Sequence, residues 1–298
     1  MNIYISGSIT SDYIGYSRLI RDLYPIVYAS ESDNILFDFS ELKWLDANLL
    51  TVIGSIFQAK KGKNRIQYVN DSIKPVIMNL WARNGFGSYF KIKKVFDLNG
   101  TTVDYKVSNG NNLNEYSDYI SKQLLSMSNL PVMSEGLKKQ IKNNLLEIFG
   151  NAPMHGKCEQ VISCGQVFPA KNILCFTITN IGTTIMDNVQ EYFTTILKQP
   201  TPSNTIKWAT GENHSTKILV NGKSGGLGLS FLKEFIEKNK GKIQICSGNE
   251  YWEFNSGIET VNTFNEFFPG TIVTLIINLN DKSSYCLKTE LLNDDIIF

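Results

Sequence analysis

Residues 147–156 read Glu147-Ile-Phe-Gly-Asn151-Ala-Pro-Met-His155-Gly, and the reading of the C-terminal half turns on them. Glu147, Asn151 and His155 recur every four residues, which places all three on one stripe of a helix. Leu137, Ile141, Leu145 and Ile148 supply an apolar stripe beside it. A carboxylate, a carboxamide and an imidazole aligned in this way suit a Mg²⁺–phosphate site. A carboxamide oxygen is a hard ligand that Mg²⁺ accepts alongside water and phosphate oxygens. A carboxylate one turn away can polarise an attacking water or hydroxyl. The same spacing describes a polar helix face in solvent, so the segments downstream have to decide.

Three such segments follow in order. Leu174-Cys-Phe-Thr-Ile-Thr-Asn180-Ile-Gly182 reads as a strand and a glycine turn. Ser224-Gly225-Gly226-Leu227-Gly228-Leu229-Ser230 opens a helix expected over residues 231–240. Backbone N–H groups there, at a helix N-terminus, can face a phosphate chain, and the missing Cβ atoms allow close approach. Phe268-Pro269-Gly270-Thr271 then leads into an apolar strand over residues 272–277.

These four segments, in this order, resemble the motifs of the GHKL ATPases, the fold of gyrase, the Hsp90 chaperone, histidine kinases and MutL. The resemblance implies an α/β sandwich with a mixed sheet covered by helices on one face, and ATP and Mg²⁺ as cofactors. It makes Glu147 the catalytic carboxylate, Asn151 the Mg²⁺ ligand and His155 a neighbour of the phosphates. Asn180 and Gly182 form the first glycine box, with Asn180 reading the base. Ser224, Gly225, Gly226, Leu227 and Gly228 form the second box, and Thr271 stands at the entry to the last strand. Residues 187–224 correspond to the lid that closes over ATP, with Lys217 and Lys223 either meeting phosphate or belonging to a solvated lid. The chain departs from the family's Asp-x-Gly-x-Gly at Asn180 and Thr184. An Asn carbonyl still accepts a bond from an adenine amino group, but the amide can flip and donate. Pro153 removes a helical N–H and disfavours helical geometry at Ala152, so an end or kink is expected there.

The N-terminal third has a different rhythm. Residues 1–9 read as an opening strand and residues 13–27 as an amphipathic helix. Residues 34–40 form a strand, residues 44–63 a helix and residues 64–69 a second strand, which implies a parallel pair with a right-handed crossover. A further helix is expected over residues 72–86. Residues 34–90 resemble a STAS domain, the fold of bacterial anti-anti-sigma factors, through Asp38-Phe39-Ser40 at a strand end and Leu45-Asp46-Ala47-Asn48-Leu49 at a helix start. That family carries its phosphorylated Ser where this chain has Asn48, and a carboxamide accepts no phosphoryl group. Asp46 reads equally as a helix cap. Residues 93–108 suggest a strand pair turning at Asn99-Gly100, and the polar run 109–114 a linker. Beyond it, residues 115–129 read as a helix. The division expected is a STAS-like regulatory domain over 1–110 and a GHKL-type domain over 111–298.

Composition limits the alternatives. With 29 basic and 28 acidic residues, no net charge argues for a nucleic-acid partner. The cluster Lys60-Lys61-Gly62-Lys63-Asn64-Arg65 reads as a solvated helix end. No apolar run approaches the ~18 residues of a membrane span, and the N-terminus shows no signal pattern. Five cysteines, an odd number, suggest reduced thiols and a cytoplasmic location. Three functions remain. The first is an ATP-hydrolysing switch coupled to the N-terminal domain or a protein partner. The second is an anti-sigma-type protein serine/threonine kinase acting on another protein. The third is a non-catalytic nucleotide-binding scaffold. Family analogy adds a homodimer as a possible assembly.

Overall fold

The computed structural model describes residues 1–27, 29, 33–69, 73–211, 214, 216 and 229–294. Strands β1 (Asn2–Tyr4), β3 (Asn34–Asp38) and β5 (Arg65–Tyr68) form a parallel sheet in the order β1-β3-β5. Strands β2 (Gly7–Ile9) and β4 (Leu42–Leu45) make a separate parallel pair. Around them lie α1 (Tyr13–Val27), α2 (Leu50–Lys60) and α3 (Pro75–Asn84). The parallel β3-α2-β5 unit is as the strand–helix–strand pattern requires.

Several local expectations are corrected by pairing partners. The helix expected from residue 44 starts at Leu50. Residues 42–45 are strand β4, in register with β2 through Ser8 and Trp44, and Ala47–Leu49 is a 3₁₀ turn. The opening strand splits into β1 and β2. The helix expected over 72–86 stops at Asn84, where Gly85 takes a left-handed conformation (φ 89°), and a 3₁₀ segment (Phe86–Phe90) follows. The strand pair about Asn99-Gly100 is absent. Asp97 instead accepts the N–H groups of Thr101 and Thr102, both at 2.7 Å, and only β6 (Thr102–Asn109) is extended. The polar run at 109–114 is a capped turn rather than a free linker. Asn112 caps α4 (Leu113–Tyr119) by accepting from Glu115 N, and a π-helical turn (Ile120–Leu124) continues it. The helix expected over residues 115–129 thus starts two residues earlier and ends sooner.

After the short β7 (Val132–Met133) comes α5 (Glu135–His155), then β8 (Gln160–Phe168) and β9 (Ile173–Ile181). Helices α6 (Ile185–Glu191), α7 (Thr205–Ala209) and α8 (Leu229–Asn239) precede β10 (Lys242–Asn255) and β11 (Ile258–Asn278). The chain closes with β12 (Ser284–Tyr285), paired in parallel with β7, and α9 (Lys288–Asp294). The main sheet runs β10-β11-β9-β8-β6 and every neighbour in it is antiparallel. The mixed sheet of the expectation is therefore corrected: short turns join β8 to β9 and β10 to β11, and such turns reverse direction. Strand β6 belongs to this sheet although it precedes the boundary expected at residue 110.

Helices cover both faces, which corrects the expectation of one. On one face, residues of α4, α5 and α8 such as Tyr116, Leu145 and Leu232 pack with Phe176, Ile245 and Leu275. On the other, Tyr16 and Leu19 of α1 and Ile53 and Ile56 of α2 share a core with Cys246, Phe268 and Ile272. The central strands are buried almost end to end, as in sheets packed on two sides. The five cysteines are free thiols. Among the described residues, no helix is long and apolar enough to cross a membrane.

Candidate functional site

The C-terminal end of α5 is where the sheet's helical layer opens. The break expected at Pro153 does not occur, and α5 continues to His155. Pro153 lies in the last turn, where it removes only the bond to Phe149 O, and Gly156 N closes the helix on Asn151 O at 3.4 Å. Gly156 also anchors the next part of the site. Its carbonyl accepts Thr183 N at 2.8 Å, while Gly182 N bonds Pro269 O at 2.9 Å. A Cβ on Gly182 would lie 2.0 Å from that same Gly156 carbonyl oxygen, so only glycine permits this approach of turn to helix.

Thr184, where the resemblance would have a glycine, has its own role. It is the N-cap of α6 in a capping box, its hydroxyl accepting from Asp187 N while Asp187 accepts from Thr184 N. Asn188 then ties α6 to α5, its Nδ2 donating to His155 O at 3.2 Å and to Thr184 O at 2.8 Å. Caps of this kind hold a helix start in place by satisfying its free N–H groups.

These elements surround a cleft of about 870 Å³, including space open to solvent. Asn151, His155, Asn180 and Thr271 line it, over a floor of Ile178, Ile245 and Val273. Asn180 and Thr271 face each other across the β9–β11 ladder. The Thr271 hydroxyl lies 2.9 Å from that of Ser247. Asn180 is 7% exposed, and its Nδ2 is buried without a hydrogen-bond partner. A buried unpaired donor is costly and uncommon, and this one sits against the bare Cα of Gly156, where a Cβ would come within 2.7 Å of it. Gly182 stands at the turn beside the cleft rather than in its lining.

Glu147 is placed differently. It lies one turn before Asn151, is exposed, and is not part of the cleft lining. Partial desolvation nonetheless raises its carboxyl above the ordinary value of 4.5. Ser224, Gly225, Gly226, Leu227 and Gly228 lie outside the described residues, as do Lys217 and Lys223. The helix they were expected to open is present as α8 (Leu229–Asn239), two residues earlier than the periodicity suggested, and Leu229 lines the cleft.

Among its described residues, the stretch 187–224 is less irregular than expected. It holds most of α6, a π-helical turn (Tyr192–Leu197) and α7. Glu250, itself buried, accepts from Thr205 N, Thr205 Oγ1 and Ile206 N at 2.8–3.0 Å. That carboxylate fixes the start of α7, which brings Trp208 into the cleft wall. His214 stacks on Trp208 with ring centroids 4.9 Å apart and 10° between planes, and its Nδ1 lies 2.6 Å from Trp208 O. Sequence reasoning missed Trp208, His214 and Asn188 as lining residues. The available signal was Asn204-Thr205-Ile206-Lys207, a helix start in which Asn204 accepts from Lys207 N at 2.7 Å.

A scan against protein-family models finds no match to this chain, and a search of curated protein sequences finds none either.

Proposed function

We propose that the cleft at the end of α5 binds a nucleoside triphosphate with Mg²⁺, and that the chain is an ATP-hydrolysing conformational switch of the GHKL class joined to a STAS-like unit. The observation that carries this reading is the convergence of Asn151, Asn180 and Thr271. The motif order singles them out from three separate segments, and they line one cleft together with the unpaired amide of Asn180. The donor set fits: Mg²⁺ keeps water and takes phosphate oxygens, so a single carboxamide such as Asn151 suffices as the protein ligand. When bound, the ion would neutralise developing charge on the phosphates. Asn151 orients the phosphate end, Asn180 and Thr271 meet the base, and Trp208 walls the cleft. Glu147, one turn from Asn151, takes the proton of the attacking group.

The N-terminal unit is coupled through the sheet. Asn48 donates to Thr177 Oγ1 at 2.9 Å, and Thr177 lies on β9, the strand that ends at the Asn180–Gly182 turn. A second reading, a protein serine/threonine kinase, is favoured by the exposure of Glu147. At that position a protein hydroxyl has access as well as water.

Incubation of the full chain with Mg²⁺ and γ-labelled ATP, wild type beside Glu147→Ala, tests the proposal. Phosphate release that depends on Glu147 supports the switch, and label transferred to protein puts the kinase first. Binding without either product leaves a nucleotide-sensing scaffold; no binding rejects the reading.

A further inference from the structure

We propose that the end of the main sheet opposite the cleft docks on an anionic membrane surface, with Phe96 and Leu98 entering the lipid and a row of lysines facing its headgroups. The inference stands apart from the nucleotide reading and uses none of the cleft residues.

Its starting point is the loop before β6. Phe96 is 84% exposed and Leu98 88%, yet the segment that carries them is pinned. Ile92 packs on the core of the N-terminal unit, and its N–H bonds Gly87 O at 3.0 Å. Val95 N donates to Ala82 O at 3.2 Å. Asp97, between the two apolar side chains, accepts from Thr101 N and Thr102 N and pairs with Arg83 at 3.1 Å. A single exposed apolar residue is ordinary on any surface. Two large ones flanking an anchored carboxylate are held in water by the fold itself, and apolar surface presented in this way marks a contact.

Strand register places that loop. Thr102 opposes Gln166, Phe168 opposes Ile173, Ile173 opposes Asn278, and Ile276 opposes Lys242. The loop before β6, the β8–β9 turn, the exit of β11 and the entry to β10 therefore share one end of the sheet. Val167 N bonds Thr101 O and Leu279 N bonds Asn172 O, both at 2.8 Å, so neighbouring connections are tied together. Asn180 and Thr271 pair near the other end. On the four connections Lys93, Lys171, Lys240 and Lys282 are exposed, and among the described residues none of them forms an ion pair. The acidic groups there are occupied: Asp97 as above, and Asp281 by Ser283 N at 2.9 Å and by the Tyr285 hydroxyl. Adjacent strands lie ~4.8 Å apart, so five strands spread this basic row over roughly 20 Å.

The residue types select the occupant. Lysine is depleted at protein interfaces, which favour Arg, Tyr and Trp. Phe and Leu bordered by lysines are instead the composition of surfaces that lie on anionic lipid. Lysine stems reach outward while their ammonium groups stay with the phosphates. The contact is with the surface and not a span, since no described helix is long and apolar enough to cross a membrane.

The test is co-sedimentation of the full chain with vesicles of phosphatidylcholine alone and of phosphatidylcholine and phosphatidylserine in equal parts. Wild type is expected to sediment with the anionic vesicles only, and to be released as added salt shortens the screening length. The double substitution Phe96→Ser, Leu98→Ser is expected to lower that partition by at least about tenfold. Both side chains are exposed, so its urea midpoint should match wild type, which separates lost binding from lost folding. Lys171→Glu with Lys282→Glu should weaken binding in the same direction. No binding to anionic vesicles overturns the proposal, as does a Phe96→Ser, Leu98→Ser protein that binds like wild type. Retention on immobilised polyglutamate without vesicle binding overturns it in favour of an acidic protein partner.

Discussion

The two faces of the five-stranded sheet bury polar side chains in opposite ways. On the face towards the N-terminal unit, a set of polar groups forms a connected network. Asp46 accepts from Ser11 N and Trp44 Nε1, both at 2.8 Å. Asn48 reaches Thr177, Thr177 meets Thr274, Thr274 meets Tyr16, and Thr179 donates to Thr51. Ala47 N is taken by Gln166 Oε1 at 3.1 Å. On the face towards α5, the site is open. Of the described buried atoms without a partner, only Asn180 Nδ2 belongs to a cleft-lining residue. The same strand, β9, carries Thr177 and Thr179 in the first environment and Asn180 at the edge of the second. Satisfied polar groups specify how two layers join; an unsatisfied one beside a cleft adds nothing to that specification.

The largest test of that contrast lies in turnover. Glu147→Ala should slow phosphate release by ~10²- to 10⁴-fold with nucleotide affinity nearly unchanged. Equal rates for the two proteins would remove Glu147 from the chemistry. The pH profile sharpens this. Desolvation raises the Glu147 carboxyl above 4.5, so the base form fills later than in a free carboxylate and the rate should climb with pH at values above the ordinary one.

Next in size is the metal ligand. Asn151→Ala should weaken Mg²⁺-dependent nucleotide binding by at least about tenfold in titration calorimetry. Unchanged affinity would strike out its metal role.

Stability then separates the two faces directly. Asn48→Ala removes a buried carboxamide with its bonds to Thr177 and Ser11 and should cost ~1–3 kcal/mol in urea unfolding, with little effect on nucleotide affinity. Asn180→Ala loses no hydrogen bond among the described residues, so its stability cost should stay near or below ~1 kcal/mol while nucleotide affinity falls. A reversed order of the two stability losses would break the comparison.

The smallest expected effect comes from Asp97, away from both faces. Burial raises its carboxyl, but the Thr102 and Thr101 bonds and the Arg83 guanidinium outweigh that and leave it below the ordinary 3.8. A depressed carboxyl stabilises the fold above its unfolded value and loses that contribution as pH falls through the folded one. Asp97→Asn should therefore flatten the acid limb of the stability curve below about pH 4. A wild-type acid limb in that variant would refute the assignment.

Local pattern was enough for much of the chain. The periodicity over residues 13–27 matches α1 at both ends, and the β3-α2-β5 order, the long α5 and the apolar end of β11 were all legible. So was the alignment of Asn151 with His155, because helical spacing is a property of neighbouring residues. What failed was whatever depended on a distant partner. Residues 42–45 carry a helix-compatible pattern but form β4 because β2 offers a free edge. Trp208 reaches the cleft because Glu250, far along the chain, captures the start of α7.

The amino-acid sequence by itself determined α1, the long α5, the strand–helix–strand order and the polar stripe at the end of α5, since each is set by side chains within a turn or two. Tertiary structure alone decided that the main sheet is antiparallel and covered on both faces. It also decided that Asp46 and Asn48 are consumed in a buried joint and that Asn180 is left unpaired in a cleft. The physical reason is that a hydrogen bond's partner is chosen in space. Tyr16 and Thr274, whose hydroxyls lie 2.5 Å apart, are joined by packing that no local periodicity encodes.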